Sequence, residues 1–203
     1  MRKQKLHSER SRERRYAVLV VDMLNDFVYG KLKCANAKKI IPKIQSVLET
    51  TESIGIPVFF CNDAHKKEDR YEFRLWGPHA IEGTRGAKLI KEIKPSQIDC
   101  VVPKRTYSAF YKTNLESLLR KNFGKKGPDG VIIYGIHTNI CAKHTAYDAF
   151  VRGFDVLVAE DGVTAFTDKD HRFGLDYMRR NYGAKILKTR EIIRLLKKTQ
   201  SRN

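Results

Sequence analysis

Six short apolar runs recur along the chain, and the segments between them carry helical patterns. The runs are rich in Val and Ile and are nearly continuous rather than alternating, which is typical of parallel strands covered on both faces. They are Tyr16–Asp22, Pro57–Cys61, Asp99–Pro103, Gly130–Gly135, Phe154–Ala159 and Ala184–Leu187. The alternation of strands and helices predicts a three-layer α/β/α fold around a six-stranded, mostly parallel sheet.

Five longer segments have the apolar spacing or the terminal glycine of a helix. They are Ala35–Ile54, Asn114–Phe123, Asn139–Val151, Asp168–Tyr182 and Glu191–Lys198. The longest segment without clear periodicity is Asn62–Gly86. A loop of that length inside a compact domain is usually functional.

The chain of 203 residues has the length of one large domain. We predict a basic, flexible N-terminal arm over residues 1–15 and a single domain over residues 16–203, which ends in a basic helix. No apolar run approaches the roughly 20 residues needed to span a bilayer, and no secretory signal is recognisable. The sequence therefore predicts a cytoplasmic protein with no membrane partner.

The net charge of +17 is concentrated at the two ends of the chain. Residues 1–15 hold seven Lys or Arg against two Glu, and residues 188–203 hold six against one. Phosphate contacts by such ends give nonspecific affinity for nucleic acid. Because no nucleic-acid-reading motif is present, a nucleic-acid partner is not expected, and solvated basic ends explain the charge. A basic nucleic-acid or anion-binding protein on this scaffold remains the alternative from another functional class.

Candidate chemistry lies at the carboxyl ends of the predicted strands, where ligands bind in open α/β sheets. Asp22, Lys104 and Cys141 follow three different strands, and Cys141 opens a helix whose N-terminus lowers the pKa of a thiol. An adjacent carboxylate can accept the thiol proton, and an ammonium group can stabilise the thiolate. Taken singly, the cysteine could be a packed core residue and the lysine a solvated one. Their coincidence at one edge of the sheet favours a nucleophilic site.

A second constellation lies in and beside the long loop. Asp63 and His65 are two residues apart on an extended segment, so their side chains share one face, and His79 follows in the same loop. Three such ligands with open positions are the usual pattern of a working metal site. Hydrogen bonding within a polar loop is the alternative explanation.

Several motifs, in order, resemble the isochorismatase-like cysteine hydrolases and, within them, the nicotinamidase- and pyrazinamidase-type amidases. The resemblance runs from about Tyr16 to Leu187. It rests on VVDMLNDF (Val20–Phe27), the Asp63-x-His65 pair, WGPHAIEGTRGA (Trp76–Ala87), KRTYSAF (Lys104–Phe110) and GIHTNICAKHTAYDAFVRG (Gly135–Gly153).

The resemblance implies a role for each matched residue. Asp22, Lys104 and Cys141 would form the catalytic triad. A cis peptide bond between Ile136 and His137 would direct the backbone N–H groups of His137 and Cys141 into an oxyanion hole. The implied ligands of a divalent metal, zinc by preference, are Asp63, His65 and His79, and the implied pocket residues are Phe27 and Trp76. Family members often self-associate, so a homo-oligomer is also expected.

The resulting prediction is a cysteine-dependent amidohydrolase that cleaves the C–N bond of a small amide through a thioester. Nicotinamide is the favoured substrate, and a carbamoyl or ureido compound is the alternative within the same superfamily. The loop between His65 and Trp76 is short and lacks a further histidine, and Ala80 stands where nicotinamidases commonly have cysteine. These departures bear on the substrate and leave the triad intact. Isochorismatases proper hydrolyse a vinyl ether without a catalytic cysteine, so Cys141 argues against that reaction.

Overall fold

A computed structural model of the chain describes residues 14–200. Its sheet has six strands in the order β3-β2-β1-β4-β5-β6, and every neighbouring pair is parallel. The strands are β1 Tyr16–Val21, β2 Val58–Asp63, β3 Cys100–Lys104, β4 Gly130–Ile136, β5 Asp155–Thr164 and β6 Lys185–Leu187. The predicted α/β class and strand number are confirmed, and the sheet is entirely rather than mostly parallel.

Seven helices accompany the sheet in the described part of the chain. They are α1 Asn25–Val28, α2 Ala37–Ser53, α3 Arg70–Trp76, α4 Leu115–Phe123, α5 Cys141–Val151, α6 Asp168–Tyr182 and α7 Thr189–Gln200. Helices α2 and α7 pack together over β5, and α5 and α6 pack together over the same part of the sheet from the opposite face. All five predicted helices are present, with boundaries shifted by a few residues at most. Residues 1–13 of the predicted basic arm lie outside the described residues.

The core confirms the interpretation of the apolar runs as covered strands in the centre of the sheet, whereas the edge strands β3 and β6 keep exposed residues. Every residue of β1, β2 and β4 is buried. Strand β2 stays buried through its last two residues, Asn62 and Asp63, which are polar. Strand β5 continues five residues beyond the predicted end at Ala159, past an irregularity in its pairing with β4. No helix among residues 14–200 is long and apolar enough to cross a bilayer.

The topological switch point of the sheet lies between β1 and β4: the chain runs from β1 towards one edge and from β4 towards the other. This arrangement creates a crevice at the carboxyl ends of the two strands. Gly135, near the end of β4, has a φ of 105°, which L side chains rarely adopt. A Cβ atom there would overlap the carbonyl oxygen of Val21 on β1. Glycine therefore permits the close approach of the two central strands directly below the crevice.

Candidate active site

Asp22 follows β1 and enters the crevice with a backbone φ of 55°, a left-handed conformation that Asp tolerates better than most residues. Its side chain is almost fully buried. The backbone N–H of Asp63 donates a hydrogen bond of 2.8 Å to Oδ1 of Asp22. The carboxylate is therefore held by the neighbouring strand β2.

Lys104, the last residue of β3, is buried rather than solvated. Its Nζ lies 2.7 Å from Oδ2 of Asp22 and 2.6 Å from Oδ1 of Asp63. Burial alone would lower the pKa of Lys104, but the two carboxylates outweigh it and raise that pKa well above its ordinary value. The lysine is a fixed cation between two acids, and the surface-lysine alternative is wrong.

Cys141 is the first residue of α5, and its Sγ lies within 4.8 Å of carboxylate oxygens of Asp22 and Asp63. Burial raises the pKa of the thiol well above its ordinary value, against the opposing effect of Lys104. The lowering expected from the helix N-terminus is therefore not realised, because the thiol is shielded from water and faces two acids. Cys141 rests as a thiol.

Burial and the Asp63 carboxylate also raise the pKa of Asp22, to about 7, although Lys104 opposes the shift. A carboxylate with a raised pKa is a stronger base than an ordinary aspartate. The structure thus pairs a protonated thiol with a carboxylate suited to accept its proton.

The turn between β4 and α5 begins with a cis peptide bond between Ile136 and His137. The carbonyl of His137 accepts hydrogen bonds from the N–H groups of Ile140 and Ala142, which closes the turn tightly before the helix. Among the described residues, no hydrogen bond uses the backbone N–H of His137 or of Cys141. Both donors are available to an oxyanion.

The predicted metal ligands lie together beside Lys104, and Glu72 on α3 joins them. Asp63, His65, Glu72 and His79 each offer a ligand atom, and these atoms lie within 4.8 Å of one another. Glu72 could not be predicted from the sequence, because α3 has no buried apolar face that would mark it as a helix.

The four side chains fit a divalent cation. Nε2 of His65 lies 3.7 Å from Oδ2 of Asp63 and 3.6 Å from Oε2 of Glu72, too far for hydrogen bonds. His65 Nε2 and Glu72 Oε1 are buried, and neither has a hydrogen-bond partner among the described residues. Two ligands that each lie about 2.1 Å from a tetrahedral ion are separated by about 3.4 Å, close to these spacings.

A small pocket opens onto Cys141 and the cation ligands. It is lined by Phe27, Leu32, Asp63, Glu72, Trp76, His79, Tyr107, His137, Ile140, Cys141 and Phe166. The structure places the two predicted pocket residues, Phe27 and Trp76, in this lining. It adds Tyr107 and Phe166, which come from segments far apart along the chain and were not predicted to line the pocket.

The walls of the pocket are aromatic and supported by one another. The rings of Trp76 and Phe166 stack with centroids 6.0 Å apart, and Phe166 also stacks on the imidazole of His137 at 4.0 Å. The indole Nε1 of Trp76 donates to the hydroxyl of Tyr107 at 3.0 Å. These rings pack on one another and give the pocket an aromatic lining beside Cys141, which suits a mostly apolar molecule.

Comparison with known proteins identifies relatives over nearly the whole described chain. A family model for the isochorismatase domain matches residues 16–191. Nicotinamidase 3 of Arabidopsis thaliana is 33% identical over 174 residues, which are 80% of this chain and 83% of the plant protein.

Two solved structures extend the comparison. N-carbamoylsarcosine amidase from Thermoplasma acidophilum is 39% identical, with a TM-score of 0.78 over 86% of this chain and 96% of that one. Pyrazinamidase of Pyrococcus horikoshii, solved in complex with zinc, is 28% identical, with a TM-score of 0.76 over 86% of this chain and 99% of that one. Since the family model covers most of its length, the chain belongs to the isochorismatase family of hydrolases.

Proposed function

We propose that this protein is a cysteine-dependent amidohydrolase that converts a small aromatic amide, nicotinamide as the first candidate, into the acid and ammonia. The observation that carries the proposal is the buried contact of Lys104 with Asp22 and Asp63, beside the Cys141 thiol. Cys141 lines the pocket, and a carboxylate that can act as a base and a fixed cation lie beside it, which supports the proposal.

In the first half of the reaction, Sγ of Cys141 attacks the amide carbonyl carbon and its proton passes to Asp22. Negative charge develops on the carbonyl oxygen, which accepts hydrogen bonds from the N–H groups of His137 and Cys141. Asp22 then gives the proton to the amide nitrogen. The C–N bond breaks, ammonia leaves, and the acyl group remains on Cys141 as a thioester.

In the second half, water replaces ammonia above the thioester. Asp22 accepts a proton from the water as its oxygen attacks the thioester carbon, and the same N–H groups hold the oxyanion. The C–S bond breaks, the thiolate recovers the proton from Asp22, and the acid departs. Lys104 keeps its charge throughout, because its two carboxylate contacts hold it protonated and its pKa raised.

Asp63, His65, Glu72 and His79 would hold a divalent cation, with zinc matching their nitrogen and oxygen donors. When bound, this cation supplies a Lewis acid at the pocket wall for a heteroatom of the substrate or for water. The side chains of the pocket position the ring. Asp22 and Cys141 carry out the proton and acyl transfers, while Lys104 stays protonated beside them.

The pocket favours an uncharged aromatic amide. Among the described residues, no Lys or Arg lines it, and Lys104 below it is already engaged by two acids. The aromatic lining that includes Trp76 and Phe166 offers ring surface to a planar substrate. Without a bound cation, an anionic substrate would meet the carboxylates of Asp63 and Glu72 with no Lys or Arg in the described lining to balance its charge.

A carbamoyl compound is the second candidate, favoured by the 39% identity to N-carbamoylsarcosine amidase. N-carbamoylsarcosine presents a C–N bond to the same nucleophile but carries a carboxylate. Because the described lining offers that carboxylate no Lys or Arg, nicotinamide ranks first.

The test is ammonia release by the purified full chain from nicotinamide and, separately, from N-carbamoylsarcosine. We expect release from nicotinamide that falls on chelation, returns with zinc and is absent in Cys141→Ala, whose circular dichroism should match that of the wild type. Release from N-carbamoylsarcosine alone would establish the second candidate instead. A folded, zinc-loaded protein that hydrolyses neither compound would contradict both assignments.

A further inference from the structure

The imidazole of His65 has different neighbours at its two nitrogens. Its Nε2 faces the other cation ligands, 3.7 Å from Oδ2 of Asp63 and 3.6 Å from Oε2 of Glu72. Its Nδ1 lies 3.4 Å from Oδ2 of Asp69, in a long hydrogen bond. A neutral histidine that binds a cation through Nε2 must carry its proton on Nδ1, where a carboxylate can accept it.

Two further partners fix the carboxylate of Asp69. The backbone N–H of Lys66 donates a hydrogen bond of 3.0 Å to Oδ2 of Asp69. Arg105, the residue that follows β3, donates from Nε to the same oxygen at 2.9 Å and from Nη2 to Oδ1. A paired contact of this kind fixes the plane of a carboxylate as well as its position. The oxygen that faces His65 is therefore held in one place.

A role in starting helix α3 does not account for these contacts. Asp69 directly precedes α3, at a position where the side chain of an aspartate commonly caps the first turn. In the described chain, however, this side chain makes no capping hydrogen bond to the helix. Its oxygens instead contact Lys66, Arg105 and His65.

His79, the other histidine of the cation site, has its nitrogens arranged in the same way. Its Nδ1 lies 2.8 Å from the carbonyl oxygen of Gly77, which can only accept a hydrogen bond. A neutral imidazole here therefore carries its proton on Nδ1 and leaves Nε2 for a cation. The group that orients His79 belongs to the backbone, whereas the group that orients His65 is a side chain that a substitution can remove.

We propose that Asp69, held by Arg105, is a positioning residue that keeps His65 ready to bind the cation. It keeps the His65 proton on Nδ1 and thereby directs the lone pair of Nε2 towards the other ligands. The inference rests on the cation site of the proposed function and adds two residues outside the ligand set. Both line a second cavity, and neither is among the described residues that line the substrate pocket.

The test is the zinc affinity of the full chain, measured by competition with a chromophoric chelator. Asp69→Ala removes the acceptor for the Nδ1 proton, so we expect it to raise the dissociation constant about ten- to hundredfold. Asp69→Asn keeps an acceptor oxygen but loses the charge, and its affinity should lie between those of Asp69→Ala and the wild type. Glu68→Ala is the matched control, because Glu68 is exposed, carries the same charge and directly precedes Asp69. It should leave the dissociation constant nearly unchanged.

A double-mutant cycle tests whether Arg105 acts through Asp69. In the wild-type background, Arg105→Gln should raise the dissociation constant several-fold, because the carboxylate loses the contact that fixes its plane. In the Asp69→Ala background the same substitution should have little further effect, since the carboxylate that Arg105 orients is gone. Equal effects in both backgrounds would overturn the role of Arg105.

Thermal unfolding with chelator and with zinc separates positioning from general damage to the fold. Zinc should raise the unfolding midpoint of the wild type, because it binds the folded state. Asp69→Ala should unfold close to the wild type in chelator but gain much less from zinc. A loss of the same size with and without zinc would mean that Asp69 is only structural, and would overturn the proposal.

The affinity measurements also distinguish this inference from the proposed function. A folded wild type that binds no zinc would contradict the cation site itself, and the role of Asp69 with it. A wild type that binds zinc, together with a folded Asp69→Ala variant that binds it equally well, would overturn the role of Asp69 alone.

Discussion

Asp63 joins the two parts of the site through Lys104: Oδ1 of Asp63 lies 2.6 Å from Nζ of Lys104, while its Oδ2 lies 3.7 Å from Nε2 of His65. One carboxylate thus neutralises the buried lysine and belongs to the cation-binding cluster. The pKa of Asp63 is lowered even though burial opposes this, because Lys104 and His65 stabilise its charge. The electrostatics of the nucleophile and of the cation site are therefore linked through a single side chain.

This linkage predicts that substitutions of two proposed cation ligands lower the unfolding free energy by different amounts. Asp63→Asn removes a cation ligand and one of the two negative partners of a buried lysine, whereas His79→Asn removes only a ligand. Both should weaken zinc binding at least about tenfold. Measured by denaturant unfolding in the presence of chelator, Asp63→Asn should lose about 2–3 kcal/mol more unfolding free energy than His79→Asn. Equal stabilities would show that Lys104 does not depend on Asp63.

Asp22 gives the activity a dependence on pH near neutrality. Its pKa is raised to about 7, so below that pH the carboxyl is protonated and cannot accept the thiol proton. The value of kcat/KM should rise with pH from the acid range towards neutrality as Asp22 ionises, with a slope that approaches tenfold per unit on the acid side. A flat profile between about pH 5 and pH 8 would exclude Asp22 as the base.

The same shift has a consequence for stability, with the opposite direction. Because the folded state holds the Asp22 proton more tightly than the unfolded state, the folded chain binds more protons between the ordinary carboxyl range and a pKa of about 7. The contribution of Asp22 to stability therefore falls as pH rises through this window. Compared with Asp22→Asn, the wild type should lose more unfolding free energy between about pH 4 and pH 7 in chemical denaturation.

The sequence was sufficient to predict most of the sheet and the residues at its edge. Strands β1 and β4 are covered on both faces, so their apolar runs are continuous and easily recognised. In a parallel sheet the carboxyl ends must share one edge, which is why Asp22, Lys104 and Cys141 could be expected together. The motifs then identified the family.

The remaining parts of the site depend on tertiary contacts that no local pattern reveals. Helix α3 has no buried residue, so it has no apolar stripe that would distinguish it from a loop in the sequence. The position of Glu72 on this helix could therefore not be predicted either. Phe166 reaches the pocket from the segment after β5, far along the chain from Trp76. The position of Cys141 at a helix N-terminus predicts a lowered pKa, but the pKa is raised, because burial depends on the whole fold.

Gly135 should be among the least replaceable residues outside the chemistry. Its φ of 105° strains any side chain, and a Cβ would overlap the Val21 carbonyl at the centre of the sheet. Gly135→Ala should cost about 3 kcal/mol or more in denaturant unfolding. Gly55→Ala is the control, because Gly55 has a φ of 69° and a Cβ there would meet no atom within 4 Å, so only the backbone strain of about 1–2 kcal/mol remains. Similar costs at both sites would show that β1 and β4 can separate.

The side chain of His137 should act on the substrate independently of its backbone. The imidazole stacks on Phe166, its Nε2 is buried without a hydrogen-bond partner among the described residues, and burial lowers its pKa to about 4, so the ring is neutral near pH 7. His137→Ala keeps the backbone N–H proposed for the oxyanion hole and removes only the ring. Loss of one stacking wall, about 0.5–1.5 kcal/mol, should raise KM for nicotinamide about three- to tenfold with little change in kcat.

An aliphatic amide separates this role of the His137 ring from damage to the turn. Acetamide has no ring to stack, so His137→Ala should leave its kcat/KM nearly unchanged while weakening nicotinamide binding. A parallel loss of kcat for both amides would instead mean that the substitution displaces the N–H groups of the turn. The ratio of the two effects therefore measures how much of the recognition of the aromatic ring comes from the imidazole.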